Sequence, residues 1–241
     1  MTPPISIDGT DITGATIDGT DVQEITVDGD VVFTSQLDLP NNAVHHYDIS
    51  QLTGFSDGDP VTTIPDLVGS ADLSGTGTYR SSAINGNPAI ELDGVDDVFI
   101  ASTPPISTAK TLYLVFEWQS SSDQVLVSFE AATGPQSTHN ITIINNANEI
   151  FAGSALVGSS DLTIQQITAV FDGANSILRE QGTQTASGDS GNRITNNDLF
   201  VGARQGPTQF FSNAYFGELV VTDTDNVDVS YESNLLSKWG I

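Results

Sequence analysis

The sequence contains no cysteine and only two lysines, Lys110 and Lys238. The first absence excludes disulfides, a thiolate nucleophile and Cys-ligated zinc, and leaves the redox compartment open. The second belongs to a wider shortage of positive charge: 6 Lys and Arg stand against 31 Asp and Glu, a net charge of −25. A phosphate backbone needs a basic footprint, so nucleic acid is excluded as a primary partner, and an anionic membrane surface with it. No apolar run approaches the length of a membrane span, which argues against direct membrane insertion. The opening Met1-Thr2-Pro3-Pro4-Ile5-Ser6-Ile7-Asp8 has neither a basic n-region nor an apolar h-region, so a secretory signal is not expected. Repulsion among so many carboxylates weakens a compact chain in dilute buffer and is screened in molar salt. The composition therefore reads as that of a halophilic source, with an acidic protein from an ordinary habitat as the alternative.

What is present is a folded all-β protein. Hydrophobic residues make up 38% of the 241, and 22 glycines add to them, enough for an ordinary core. The first segment repeats with a period of ten residues: Ile7-Asp8-Gly9-Thr10-Asp11, Ile17-Asp18-Gly19-Thr20-Asp21, Val27-Asp28-Gly29-Asp30. Asp-Gly between β-branched residues is a tight-turn signal, so residues 1–36 are expected to form a small β meander. So few short strands bury little of their own, and the segment is expected to dock as an anchoring or oligomerisation element of a homo-oligomer. Calcium on these Asp-Gly turns is the sharper alternative, although they match neither an EF-hand loop nor the glycine-rich nonapeptide repeat.

Residues 37–241 read as short strands separated by Gly, Asn, Asp and Ser at sandwich spacing. Leu112, Leu114, Phe116 and Trp118 alternate along one strand, and Val125, Val127 and Phe129 along the next. Further strands are expected near 44–48, 89–92, 97–101, 141–144, 162–171, 176–180, 198–203 and 214–222. One helix is expected at the end, capped within Asp225–Asp228, with Lys238 near its negative end, Gly240 as its stop, and Val229, Leu235 and Leu236 turned to the sandwich.

In this frame several motifs resemble the laminin-G-like, or concanavalin A-like, lectin and glucanase jelly rolls. Asp57-Gly58-Asp59-Pro60-Val61 followed by Ile64-Pro65-Asp66-Leu67-Val68-Gly69 is similar to that family's opening turn and its "W.D.SG" loop, with Val68 in place of the Ser. Asn85-Gly86-Asn87-Pro88-Ala89-Ile90-Glu91-Leu92-Asp93-Gly94-Val95-Asp96-Asp97 resembles its "nG.paV.FdG.dD" strand and acidic turn. Leu199 to Arg204, Tyr215 to Val221 and Leu235 to Ile241 resemble its late strands and closing helix. The resemblance implies a two-sheet antiparallel jelly-roll sandwich with a rim of loops. Members mostly bind glycans or proteins, some hold calcium at acidic turns, and a minority cleave polysaccharides. Fold alone does not choose among these.

Glu91, Asp93 and Asp96 superficially resemble the "E.D..E" strand of jelly-roll glucanases, which needs two carboxylates about the scissile bond. Gly94 interrupts that strand and Asp96 stands for the last Glu, so Asp93, Asp96 and Asp97 read instead as a solvated turn or a Ca2+ site. Ser56, within Gly54-Phe55-Ser56-Asp57-Gly58, has the spacing of a nucleophile elbow without its strand and helix. Ser190 echoes a serine-protease loop. His45, His46 and His139 lack metal-ligand spacing, and of the adjacent pair one is expected to face in and one out. Asn140-Ile141-Thr142 is a glycosylation sequon. Phe210, Phe211 and Asn213, near Tyr215, have the composition of a sugar-stacking site, with core packing as the plainer reading.

These readings point to a protein that is not an enzyme. The repeats also resemble attachment modules of tailed-virus structural proteins, and a virion component needs no export signal. The function expected is a structural protein of a halophilic archaeal virus, a capsid turret, spike or tail-fibre subunit. It would be assembled in the host cytoplasm, displayed on the virion surface among other virion proteins, and adhere to a host-surface glycan or glycoprotein. A polysaccharide-degrading jelly-roll enzyme and a cell-surface adhesin of a halophile are the alternatives.

Overall fold

A computed structural model describes residues 39–102, 110–130, 137–144, 146–163, 165–191, 198–204 and 210–241, together with six short strands within the first 34 residues. The chain divides into two compact units, Met1–Leu39 and Pro40–Ile241. In the first, each ten-residue repeat closes on itself as an antiparallel pair: β1 (Ser6–Ile7) with β2 (Thr10–Asp11), β3 (Thr16–Ile17) with β4 (Thr20–Asp21), and β5 (Glu24–Val27) with β6 (Asp30–Thr34). Among the described residues these are three separate two-stranded sheets, where a single meander was expected.

The second unit is an antiparallel β fold with one helix at its C-terminus, as the residue pattern implied. Its strands are β7 (Ala43–Asp48), β8 (Pro60–Ile64), β9 (Leu73–Ile84), β10 (Asn87–Asp93), β11 (Phe99–Ala101), β12 (Lys110–Trp118), β13 (Gln124–Glu130), β14 (Ser137–Ile144), β15 (Ala147–Phe151), β16 (Ala155–Val157), β17 (Gln166–Phe171), β18 (Ser176–Glu180), β19 (Thr183–Gly188), β20 (Asp198–Val201) and β21 (Asn213–Thr222). They pair in the order β16-β15-β14-β13-β20-β11-β9-β10-β21-β12-β17-β18-β19, with β7 alongside β21 and β8 alongside β9. The layers are joined through β11 and β9, so the sandwich is one ladder folded over. Leu114, Phe116, Phe216, Leu219, Ile167 and Leu178 from one layer meet Leu126, Phe129, Ile141, Ile150, Leu199 and Val201 from the other in a shared core.

Two glycines explain why β9 comes so close to its neighbours. A Cβ on Gly75 would lie 1.9 Å from the Val98 carbonyl oxygen, and one on Gly77 would lie 2.5 Å from Ile90. Without side chains there, β9 carries its inward alternation Leu73, Gly75, Gly77, Tyr79 across both layers.

Helix α1 (Val229–Trp239) starts at Asp228, whose carboxylate accepts from the Tyr231 N–H at 2.9 Å, and stops at Gly240 in the left-handed conformation, φ 67°. It buries Tyr231, Glu232, Leu235 and Trp239. Leu236 is only half-buried, and Val229 is 55% exposed rather than turned to the sandwich. The inward stripe follows i, i+4, i+8 from Tyr231, which leaves Val229 on the solvent side.

Candidate functional site

Helix α1 divides the outer face of the β9-β10-β21-β12-β17 layer into a covered half and an open half. The boundary is a bulge in β21: Val115 pairs with Glu218 and Phe116 with Phe216, so Gly217 is an extra residue and the alternation of faces shifts by one. A Cβ on Gly217 would sit 2.8 Å from the Trp239 ring, so its absence admits Trp239 to the sheet.

The covered half holds a charged network. The Glu218 carboxylate, 1% exposed, accepts from His46 Nε2 at 2.8 Å, Lys238 Nζ at 2.6 Å, Trp239 Nε1 at 2.7 Å and the Tyr231 hydroxyl at 3.3 Å. Lys238 Nζ also donates to Asp48 at 2.7 Å. Burial pushes the Glu218 carboxyl up, but the His46 hydrogen bond and the Lys238 charge outweigh it and hold it below the usual range. Conversely, Asp48 and Glu218 raise the Lys238 ammonium above its ordinary value against the pull of desolvation. His46, Asp48 and Glu218 bring potential metal-ligating atoms within 4.8 Å of one another, a grouping that spacing along the chain does not reveal. The Lys238 ammonium already takes the cation's part between the two carboxylates.

The open half is a row of polar groups in register. Thr78 on β9 pairs with Glu91 on β10, Glu91 with Tyr215 on β21, and Tyr215 with Glu117 on β12. All four are half-buried, with Tyr215 set between two glutamates. Arg80 reaches across to Glu91 Oε2 from Nε at 2.6 Å and Nη2 at 2.5 Å, and its Nη1 lies 3.6 Å from Asp57. Glu117 accepts from Gln165 at 2.6 Å and from Gln119 at 2.9 Å, and Asn85 donates to Gln165 at 2.9 Å. These bonds fix the side chains before any ligand arrives.

The row runs on, along the same face of β10 and β21, to Asp93 paired with Asn213 and to the acidic turn beyond. Here Asp93 accepts from the N–H groups of Val95 at 2.8 Å and Asp96 at 3.2 Å, while Asp97 accepts from the Asp93 N–H at 3.1 Å. Burial raises the Asp93 carboxyl, yet the N–H groups of Val95, Asp96 and Asp97 together lower it overall; Asp97, more buried and beside like charges, is raised. Asp93, Asp96 and Asp97 bring carboxylate oxygens within 4.8 Å of one another. Of the aromatics, Phe210 is 37% exposed at φ 55°, with Arg204 5.7 Å over its ring. Phe211 packs against Val98, Phe200 and Ala203. Asn213 is the member of that trio that joins the row.

The remaining sequence candidates fall elsewhere. His45 and His46 do take opposite faces, but both are buried: His45 Nδ1 donates to Asp66 at 2.7 Å, and the helix covers His46. The His139 side chain lies outside the described residues. Asp66, from the "W.D.SG"-like loop, is a hub that accepts from His45 and from the N–H groups of His46, Gly69 and Ala71. Burial raises its carboxyl, but these bonds together hold it below the ordinary range. Ser56 sits in an exposed turn, its N–H donating to Asp59 at 2.7 Å. Ser190 is buried against the Ser176 hydroxyl at 2.7 Å, with a hydroxyl where a catalytic base would have to be. Asn140 is 3% exposed, so the sequon is closed in the folded chain.

No protein-family model matches the chain, and no curated protein matches it in sequence. Solved structures do. A Trypanosoma rangeli sialidase in complex with sialic acid matches with a TM-score of 0.58 at 12% identity, over 91% of this chain and 36% of that one. Domain 4 of a GH43 extracellular arabinanase from Geobacillus stearothermophilus, in complex with arabinotriose, matches with a TM-score of 0.50 at 17% identity, over 81% of this chain and 99% of that domain. The binding domain of Paraclostridial mosquitocidal protein 1 matches with a TM-score of 0.56 at 12% identity, over 82% and 52%. The chain thus spans about a third of the sialidase's length. At these identities the likeness is one of fold, a jelly-roll-like β-sandwich. It corrects the expectation that the protein is not an enzyme, because structures of sialidases and of a GH43 arabinanase domain share this fold. Motif spacing along one strand says nothing of a face assembled from several strands.

Proposed function

We propose that this chain is a glycan-binding domain of a carbohydrate-active protein, and that the sugar lies on the open half of the sheet. The observation that carries the reading is Tyr215, half-exposed between Glu91 and Glu117 in a row of side chains already fixed by Arg80, Gln165 and Asn85. An aromatic body with flanking acceptors suits a sugar, which offers an apolar ring face and hydroxyl donors at its rim. The arabinotriose complex of the fold-related arabinanase domain supports the reading. Asn213 and a Ca2+ held by Asp93, Asp96 and Asp97 would extend the site along the same face.

Display in many copies, on a halophilic virion or on a cell envelope, is the setting this reading favours, because repetition turns weak sites into firm attachment. Its support is compositional: the acidic chain and the ten-residue repeats. The test is affinity electrophoresis and calorimetry of the full chain with arabinan, xylan and β-glucan in molar NaCl, with and without calcium, while released reducing ends are followed. Binding to at least one polymer that falls tenfold or more in Tyr215→Ala is expected. Unchanged binding in that variant would remove the open face from the proposal. Sugar release that disappears in Glu117→Gln or Glu91→Gln would make the face an active site.

A further inference from the structure

The charge on the open face decides which class of sugar it can take, an inference that rests on the glycan-binding reading above. Along the row stand four carboxylates, Asp57, Glu91, Glu117 and Asp93, against one guanidinium, Arg80. That guanidinium is already engaged: Nε and Nη2 both lie on Glu91 Oε2, at 2.6 and 2.5 Å, and Nη1 faces Asp57 at 3.6 Å. A sugar carboxylate approaching Arg80 finds Nε and Nη2 taken by Glu91 and only the Nη1 edge left, beside Asp57, so it meets a guanidinium whose charge the protein's own carboxylates already balance. The incoming anion would also meet Glu117 two strands away, roughly 10 Å by strand spacing, in the field of a chain with net charge −25.

A neutral sugar meets the opposite situation. Its hydroxyls donate, and ionised carboxylates only accept. Glu117 receives one amide proton on each oxygen, from Gln119 on Oε1 and Gln165 on Oε2. A carboxylate has roughly four lone-pair sites, so each oxygen keeps room for a hydroxyl. Tyr215 supplies the apolar platform between them.

We infer that the open face selects neutral, hydroxyl-rich oligosaccharides and rejects sialylated and uronic-acid glycans, although sialidases are among its fold relatives. Discrimination here comes from repulsion and from a pre-engaged arginine rather than from an added contact.

The test is a glycan array that displays neutral oligosaccharides beside their sialylated and glucuronylated counterparts, probed with the full chain in 0.1 M and in 1 M NaCl. Calorimetry on one matched pair, chosen from the array, then gives affinities. The expected result is at least tenfold weaker binding of the acidic member in 0.1 M NaCl. The ratio should shrink in 1 M salt and in Glu117→Gln, an isosteric change whose folding is checked by its melting temperature. Equal or tighter binding of the acidic member overturns this inference and leaves the glycan-binding reading standing. Discrimination unchanged in Glu117→Gln and Glu91→Gln also overturns it, because the selecting charges would then lie elsewhere. No binding to any glycan fails the glycan-binding reading itself, and this inference with it.

Discussion

Asp66 shows how one side chain can organise a loop. Its two oxygens gather five donors: His45 Nδ1 and the N–H groups of His46, Val68, Gly69 and Ala71. Four of these donors are backbone groups, one on β7 and three in the loop, so the carboxylate ties the 66–71 loop to β7. Hydrogen bonds to a charged acceptor contribute about 1.5–3 kcal/mol, and Asp66→Asn, which keeps the shape but loses the charge and one acceptor, is expected to cost about 2 kcal/mol of folding stability in chemical denaturation. The sign of the pH effect follows from the carboxyl being lowered in the folded state. Its stabilisation is complete above the ordinary aspartate range, near the 3.8 of the free side chain, and is lost as pH falls through the folded value. Wild type should therefore lose stability below about pH 4, and Asp66→Asn should lose less of it over the same interval. Parallel acid curves for the two proteins would contradict the role given to this carboxylate.

At the scale of elements, one ammonium ties α1 to both β7 and β21. Lys238 lies between Asp48 and Glu218, and removing it leaves two buried carboxylates without their cation. Breaking one side of a buried pair typically costs about 3–5 kcal/mol. Lys238→Met is thus expected to be far more destabilising than an exposed lysine change, and Lys238→Met combined with Glu218→Gln should recover part of the loss. Because the Lys238 ammonium is raised in the folded state, its contribution is full below the ordinary lysine value and disappears as pH climbs through the folded one. Urea denaturation of both variants between pH 7 and 11 measures this; equal stabilities for the single and double variants would refute the coupling.

The same helix shows what the chain made legible. Asp228, Lys238 and Gly240 announced it as cap, favourable end charge and stop, and the alternation of Leu112 to Trp118 announced β12. The longest strand, β9, was hidden because its inward positions at 75 and 77 are glycines, which carry no hydrophobic signal and are there to let Val98 and Ile90 approach. The open row was hidden for a different reason. Thr78, Glu91, Tyr215 and Glu117 come from four strands up to 137 residues apart, and only the register of the sheet sets them side by side. The acidic turn was visible because Asp93, Asp96 and Asp97 are neighbours in the chain.

For the molecule as a whole, the net charge of −25 makes stability a function of ionic strength. Unlike charges largely find partners here: Arg80 with Glu91, Arg179 with Glu232, Lys238 with Asp48 and Glu218. The carboxylates in excess repel one another over the Debye length, about 10 Å at 0.1 M salt and about 3 Å at 1 M. The melting temperature of the full chain is expected to rise by several degrees between 50 mM and 2 M NaCl, and to rise with KCl as well, since screening needs no particular cation. A flat curve would mean that the acidic residues are too far apart for their repulsion to matter.

The extra residue at Gly217 has a consequence for how such a protein can diversify. Before it, β21 turns Asn213 and Tyr215 to the open face; after it, Glu218 and Val220 turn to the helix. Each side of the bulge thus keeps its own phase. Substitutions at 213 and 215 can change what the face prefers while the helix anchorage is inherited intact, whereas drawing Gly217 into the regular ladder would carry Glu218 into the core and Leu219 out of it. Selection can therefore tolerate drift on the first half of this strand and not a slip of register across the bulge, so a lineage of such domains would be expected to vary in taste and stay constant in frame.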